Sequence, residues 1–67
     1  MELIDTPNPN AKKIETDIQD EEIVNSLNNI EGVSSIFIGP GFLTITKTEN
    51  VGWELITQEI INIFDKL

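Results

Sequence analysis

Between Val33 and Lys47 the chain carries two short runs of β-branched and aromatic residues, separated by Gly39-Pro40-Gly41. Such runs favour strands, and the glycines and proline between them suit a tight reversal: Pro40 presets its own φ, and glycine takes positive φ at little steric cost. The spacing predicts a hairpin of Val33–Ile38 with Phe42–Lys47. With Ile38 opposite Leu43 and Ile36 opposite Ile45, one face becomes entirely aliphatic. Phe37 then lies opposite Thr44 and Ser35 opposite Thr46, with Phe42 at the turn, so the other face is hydroxyl-rich with two phenylalanines. A slip of one residue would exchange the faces, so covering only the aliphatic one specifies the register.

The rest of the chain supplies that cover. Ile23, Val24, Leu27 and Ile30 follow helical spacing, Asp20 is the expected N-cap, Glu21 and Glu22 suit the positive end of the helix dipole, and Gly32 is the expected C′ residue. A second helix is expected over about Val51–Asp65, capped by Asn50, with an apolar stripe of Trp53, Ile56, Ile60, Ile63, Phe64 and Leu67. Leu55 and Ile61 fall outside that stripe. Ahead of the first helix, Glu2–Thr6 and Ala11–Thr16 read as antiparallel strands with Leu3 or Ile4, and Ile14, turned inward. The loop Thr6-Pro7-Asn8-Pro9-Asn10 joins them, held by its prolines and asparagines. The expected fold is therefore α+β: a two-layer sandwich in the order ββαββα, with an antiparallel sheet and both helices on its aliphatic face. Sixty-seven residues make a single domain over 1–67.

Composition excludes more functions than it suggests. The chain has no Cys and no His, which removes disulfides, thiolate or imidazole metal sites, cysteine nucleophiles and the commonest general base. Twelve acidic residues against four lysines give a formal charge of −8, which repels nucleic acid and anionic membranes and suits a basic partner. No apolar run approaches the length of a membrane span, and the amino terminus lacks the features of a signal peptide, so a cytoplasmic protein is expected. Asp17, Asp20, Glu21 and Glu22 lack the spacing and central glycine of a calcium loop and read as a solvated, helix-capping cluster. Ser26, Ser34 and Ser35 have no histidine to activate them, and none of the four lysines stands in an apolar stretch suited to a depressed pKa. Gly39-Pro40-Gly41 is too short for a phosphate loop and leads into a strand. No cofactor is expected, and the chain does not read as an enzyme. Trp53 falls on the core stripe of its helix, which favours packing over ligand binding.

Four segments in order, Thr6-Pro7-Asn8-Pro9-Asn10-Ala11, Ile30-Glu31-Gly32-Val33, Ile36–Gly39 with Phe42–Lys47, and Trp53 at the start of the last helix, resemble the N-terminal domain of the Nfu (NifU-like) iron–sulfur cluster scaffold and carrier family. The resemblance implies a ββαββα domain tied to iron–sulfur cluster assembly or delivery. In typical members a second domain follows, whose Cys-x-x-Cys motif holds the cluster between two protomers. No cysteine here corresponds to that motif, and the segment between Ile14 and Asp20 is shorter than relatives usually have. The expected role is a non-enzymatic accessory domain that contacts a protein partner, such as a Cys-x-x-Cys cluster carrier, with Phe37, Phe42, Thr44 and Thr46 as the candidate partner-binding residues. The alternative is a small-ligand or divalent-metal-binding domain using the acidic residues.

One consequence concerns the cluster itself. Iron–sulfur clusters are held by thiolates or imidazoles, and this chain has neither. Reconstitution with iron and sulfide should leave no stoichiometric visible absorbance after desalting; a stable brown species at one cluster per chain or per dimer would contradict this.

Overall fold

The computed structural model describes residues 2–18 and 20–66. Its elements follow the expected order: β1 (Ile4–Asp5), β2 (Ala11–Glu15), α1 (Glu21–Asn28), β3 (Val33–Gly39), β4 (Phe42–Lys47) and α2 (Trp53–Asp65). The strands form one sheet in the order β1-β2-β4-β3, and every neighbouring pair is antiparallel. Strand order is what the sequence leaves open. The chain leaves β2, crosses through α1 to build β3 at the far edge, and returns as β4 between them.

The hairpin register is the one that the alternation predicts. Ile38 pairs with Leu43, Phe37 with Thr44, Ile36 with Ile45 and Ser35 with Thr46, and a bulge between Val33 and Ser35 ends the regular ladder. Pro40 and Gly41 (φ +76°) form the two-residue reversal, with Pro40 in the first and Gly41 in the second central position, as a type II turn requires. On the other side of β4, Ile14 pairs with Leu43 and Lys12 with Ile45. Residues directly opposite one another share a face, so Ile14, Leu43, Ile45 and Ile36 form the inner surface. Ile23, Leu27 and Ile30 from α1 and its exit, and Ile56, Ile60 and Phe64 from α2, close over it. Both helices thus lie on one side of the sheet.

The helix ends differ from expectation. Asp20 does cap α1, its Oδ1 accepting from the Glu22 N–H at 2.8 Å. The helix stops at Asn28, however, short of the predicted Gly32. Asn29 N–H bonds to the carbonyls of Asn25 and Ser26, and Ile30 N–H to that of Leu27, so the last turn tightens and the chain leaves it early. Gly32 uses its positive φ (+102°) in the turn into β3, where a Cβ would stand 3.0 Å from Val51 Cγ1. α2 likewise begins at Trp53, after Gly52, and not after a side-chain cap from Asn50. Of the α2 stripe, Ile56, Ile60 and Phe64 are buried and Trp53 and Ile63 are half-buried; Leu67 lies outside the described residues. Leu55 is 68% exposed, as its place on the wheel predicts.

Ile60 and Leu55 should therefore respond differently to truncation. Ile60 is fully buried beneath the sheet, so Ile60→Ala should cost about 2–5 kcal/mol. Leu55→Ala should stay within about 0.5 kcal/mol. Urea midpoints of the two variants check this, and equal midpoints would contradict it.

Candidate interaction face

The sheet has a second face that no helix among the described residues covers. Across it run Ile4, Lys13, Thr44 and Phe37 as one row, Glu15, Phe42 and Gly39 as a second, and Ala11, Thr46 and Ser35 as a third. Ile4 belongs here because it pairs with Lys13, while Leu3 packs against the core; the sequence allowed either to face inward. Phe37 is 63% exposed, and Phe42, Thr44 and Thr46 are half-buried. The structure thus gathers all four predicted residues on one surface.

Its aromatic centre is built from the turn. The far end of the Phe42 ring lies over Gly39, where an added Cβ would collide with Phe42 Cζ and Cε1. Glycine leaves that space open, and the ring in turn shields the backbone that glycine exposes. Phe37 and Phe42 are tilted neighbours with centroids 6.1 Å apart, within the range of favourable aromatic pairs. Lys13 Nζ stands 5.9 Å from the Phe42 centroid on the β2 side. The result is a small aromatic patch rimmed by Ser35, Thr44, Thr46 and Lys13, a polar rim around an apolar centre.

Trp53 occupies a different place, under the opposite end of the inner face. It is half-buried against the core, which modifies the packing expectation, and its Nε1 donates to the Pro9 carbonyl at 3.0 Å. Lys12 and Lys47 bring their Nζ atoms to 5.3 Å and 5.9 Å from its ring centroid. Lys47 is only 8% exposed and donates to Asn10 Oδ1 (2.9 Å) and the Thr48 carbonyl (3.3 Å). Sequence reasoning missed this burial. The available signal was period: Leu43, Ile45 and Lys47 alternate in step, which puts Lys47 on the covered side. With its ammonium satisfied by two oxygens and a ring, this lysine pins the Pro9-Asn10 corner to the start of α2.

Neither alternative site takes shape. Among the described residues, no group of three or more acidic side chains is arranged to hold a metal ion. An open depression of about 290 Å³ lies along Asp5–Pro9 and Ala11. The polar groups of this loop satisfy one another: the Thr6 hydroxyl donates to the Ala11 carbonyl (2.9 Å), and Asn8 Oδ1 accepts from the Asn10 N–H (2.9 Å).

The family described as "Scaffold protein Nfu/NifU N terminal" matches residues 12–67. The chain belongs to this family. It is 37% identical to the human protein named NFU1 iron-sulfur cluster scaffold homolog, mitochondrial, over 84% of this chain. It is also 37% identical to NifU-like protein 4, mitochondrial, of Arabidopsis thaliana over 57% of this chain. It spans only 29% and 13% of those two relatives. A crystal structure of the Staphylococcus aureus protein SAV1430 shares the fold at a TM-score of 0.84 and 24% identity, covering 96% of this chain and 95% of that one. A solution structure of a Staphylococcus epidermidis protein matches at 0.68 and 32% identity, covering 98% and 94%. The Nfu N-terminal fold thus accounts for the sandwich and its two-faced sheet. No helix among the described residues is long and apolar enough to cross a membrane.

The glycine under Phe42 offers a way to disturb the patch without touching the core. Gly39→Ala should push the ring off β3 while costing less than about 1 kcal/mol, because the colliding atoms are the far end of a side chain free to swing outward. Loss of the Phe42 ring-current shifts at residue 39, at a nearly unchanged unfolding midpoint, is the expected NMR result; unchanged shifts would place the ring elsewhere in solution.

Proposed function

We propose that this chain is a non-enzymatic interaction module that serves iron–sulfur cluster assembly or delivery by binding a protein partner through the uncovered face of its sheet. The observation that carries the first half is the match to the Nfu/NifU scaffold N-terminal family over residues 12–67. The second half is supported by Phe37 beside Phe42, two aromatic rings on the face that no helix covers. The chain itself offers no thiolate or imidazole to a cluster. In this reading it has no cofactor, and the cluster is cargo held by the partner, a protein with the Cys-x-x-Cys chemistry that the chain lacks. Neither nucleic acid nor a membrane is the partner, because the charge of −8 opposes both. The compartment we assign is the cytoplasm, on composition; the two curated relatives carry mitochondrial names.

Thr44 and Thr46 present hydroxyls beside the rings and supply the adaptable hydrogen bonds of the rim, while the rings supply the apolar contact. Aromatic residues at the centre of an interface carry a disproportionate share of its energy. Phe37→Ala should weaken the partner by more than about 1 kcal/mol and leave folding nearly unchanged, because its ring is mostly exposed. Affinity capture with the wild-type chain, with Phe37→Ala and with the Phe37→Ala/Phe42→Ala pair tests both halves. The expected result is an iron–sulfur biogenesis protein retained by the wild type and lost with the rings. A double variant that keeps every partner would overturn the proposed face, and partners with no link to iron–sulfur proteins would overturn the proposed role.

A further inference from the structure

The sheet has two free edges, and they are treated differently. β1 ends the sheet with only Ile4 and Asp5, followed at once by Thr6-Pro7, so this edge is too short and too interrupted to receive another strand. β3, at the other edge, runs for seven residues, Val33–Gly39, with no charge and no proline. Its bulge lies at Val33/Ser35, leaving Ser35–Gly39 regular.

The hydrogen-bond phase of β4 shows which groups that edge presents. Lys47 N–H bonds to the Asn10 carbonyl, so the odd residues of β4 bond toward β2 and the even ones toward β3. Thr44 and Thr46 therefore bond to Phe37 and Ser35 across the register. The N–H and C=O groups of Ile36 and Ile38 consequently point away from the sheet, and no described residue bonds to them. The edge is also wet: Ile38 is 38% exposed and Phe37 63%.

Charge selects among possible occupants. Neither β3 nor α1, which packs against it, carries a basic residue, while Glu21 opens α1 and Glu31 leads into β3; Asp20 and Glu22 instead line the groove toward α2, with Lys66. Lys12 and Lys13 stand on β2, beyond β4. A second copy of this chain would bring another charge of −8 to the same edge. We propose that the edge of β3 binds an extended, net-basic segment of another protein as a fifth strand, the main-chain groups of Ile36 and Ile38 supplying the ladder and the acidic flank the charge selection. This deepens the interaction-module reading and rests on it, since the side chains that the added strand turns outward would lie beside Phe37 on the outer face.

The test uses a capped heptapeptide of alternating lysine and valine as the probe, titrated into the isotopically labelled chain. Shift changes should concentrate on residues 34–39, with at least a tenfold slowing of amide exchange at Ile36 and Ile38. Methylating every main-chain nitrogen of the probe keeps its charge but removes its donors, and should weaken binding at least tenfold, as should glutamate in place of its lysines. Ile38→Pro removes one outward N–H without removing a bond to β4, and should weaken the probe comparably while β2 and β4 amides away from its cross-strand neighbour Leu43 keep their shifts. Equal binding of the methylated peptide, no protection at Ile36 and Ile38 at millimolar probe, or dimerisation of the free chain abolished by Ile38→Pro would each overturn the proposal. A partner captured through Phe37 and Phe42 but held equally by Ile38→Pro would overturn the edge alone and leave the face reading standing.

Discussion

Everything in this fold depends on the alternation along β4. It is the interior strand of the sheet, with β2 on one side and β3 on the other. Its residues switch in burial at every step from Phe42 to Lys47. Leu43 and Ile45 are almost wholly buried, and each is opposed by an apolar partner on β3. Sliding β4 by one residue would turn Thr44 and Thr46 into the core and Leu43 and Ile45 into water. That is a loss of two large apolar side chains together with burial of two hydroxyls without assigned partners. In a domain this small, with no cysteine to form a disulfide, such a penalty leaves a single register.

The same alternation explains how much of the molecule could be read in advance. The hairpin register, the inner and outer faces, and the grouping of Phe37, Phe42, Thr44 and Thr46 all follow from period 2 in a run of β-branched residues. Asp20 as the cap of α1 follows equally directly from side-chain chemistry. The boundaries that were misplaced share a different cause. At Gly32 and Gly52 the glycine is used for backbone geometry that a side-chain rule does not see: a left-handed φ entering β3 beside Val51, and an extended residue before Trp53. Asn50 looks like a cap by type, yet the helix it precedes begins only at Trp53, because tertiary packing decides which of several candidates starts a helix. Strand order, too, was invisible, because nothing local tells β4 to insert between β2 and β3.

Lys47 shows where residue type and position compete. Lysine is almost never fully buried unless it is paired, and its type argues for solvent. Its phase on β4 argues for the core side, and phase prevails because the chain supplies oxygen partners at the end of its stem: Asn10 Oδ1 and the Thr48 carbonyl. The apolar stem covers the sheet while the ammonium reaches the Trp53 ring. Trp53, read from the helical wheel as a core residue, is accordingly half inside and half a lid, tied by its indole N–H to the Pro9 carbonyl. The proline-rich loop and the first turn of α2 are thereby joined, although neither has apolar residues enough to hold the other.

This use of lysine also determines the charge a partner meets. Of the four lysines, Lys12 pairs with Asp5 at 3.4 Å and faces Trp53, Lys13 leans toward Phe42, and Lys47 is buried. Only Lys66, at the far end of α2, stands apart from such contacts among the described residues. The acids, by contrast, are all exposed, most of them on the helices and loops, with Asp5 on β1 and Glu15 on β2. The domain keeps its formal charge of −8, and three of its four lysines also serve to join or cover elements of the fold. In the proposed recognition the acidic surface would attract a cationic chain at long range, and the aromatic rings and the uncharged edge beside them would hold it by apolar and main-chain contact at short range, two stages built from different residues.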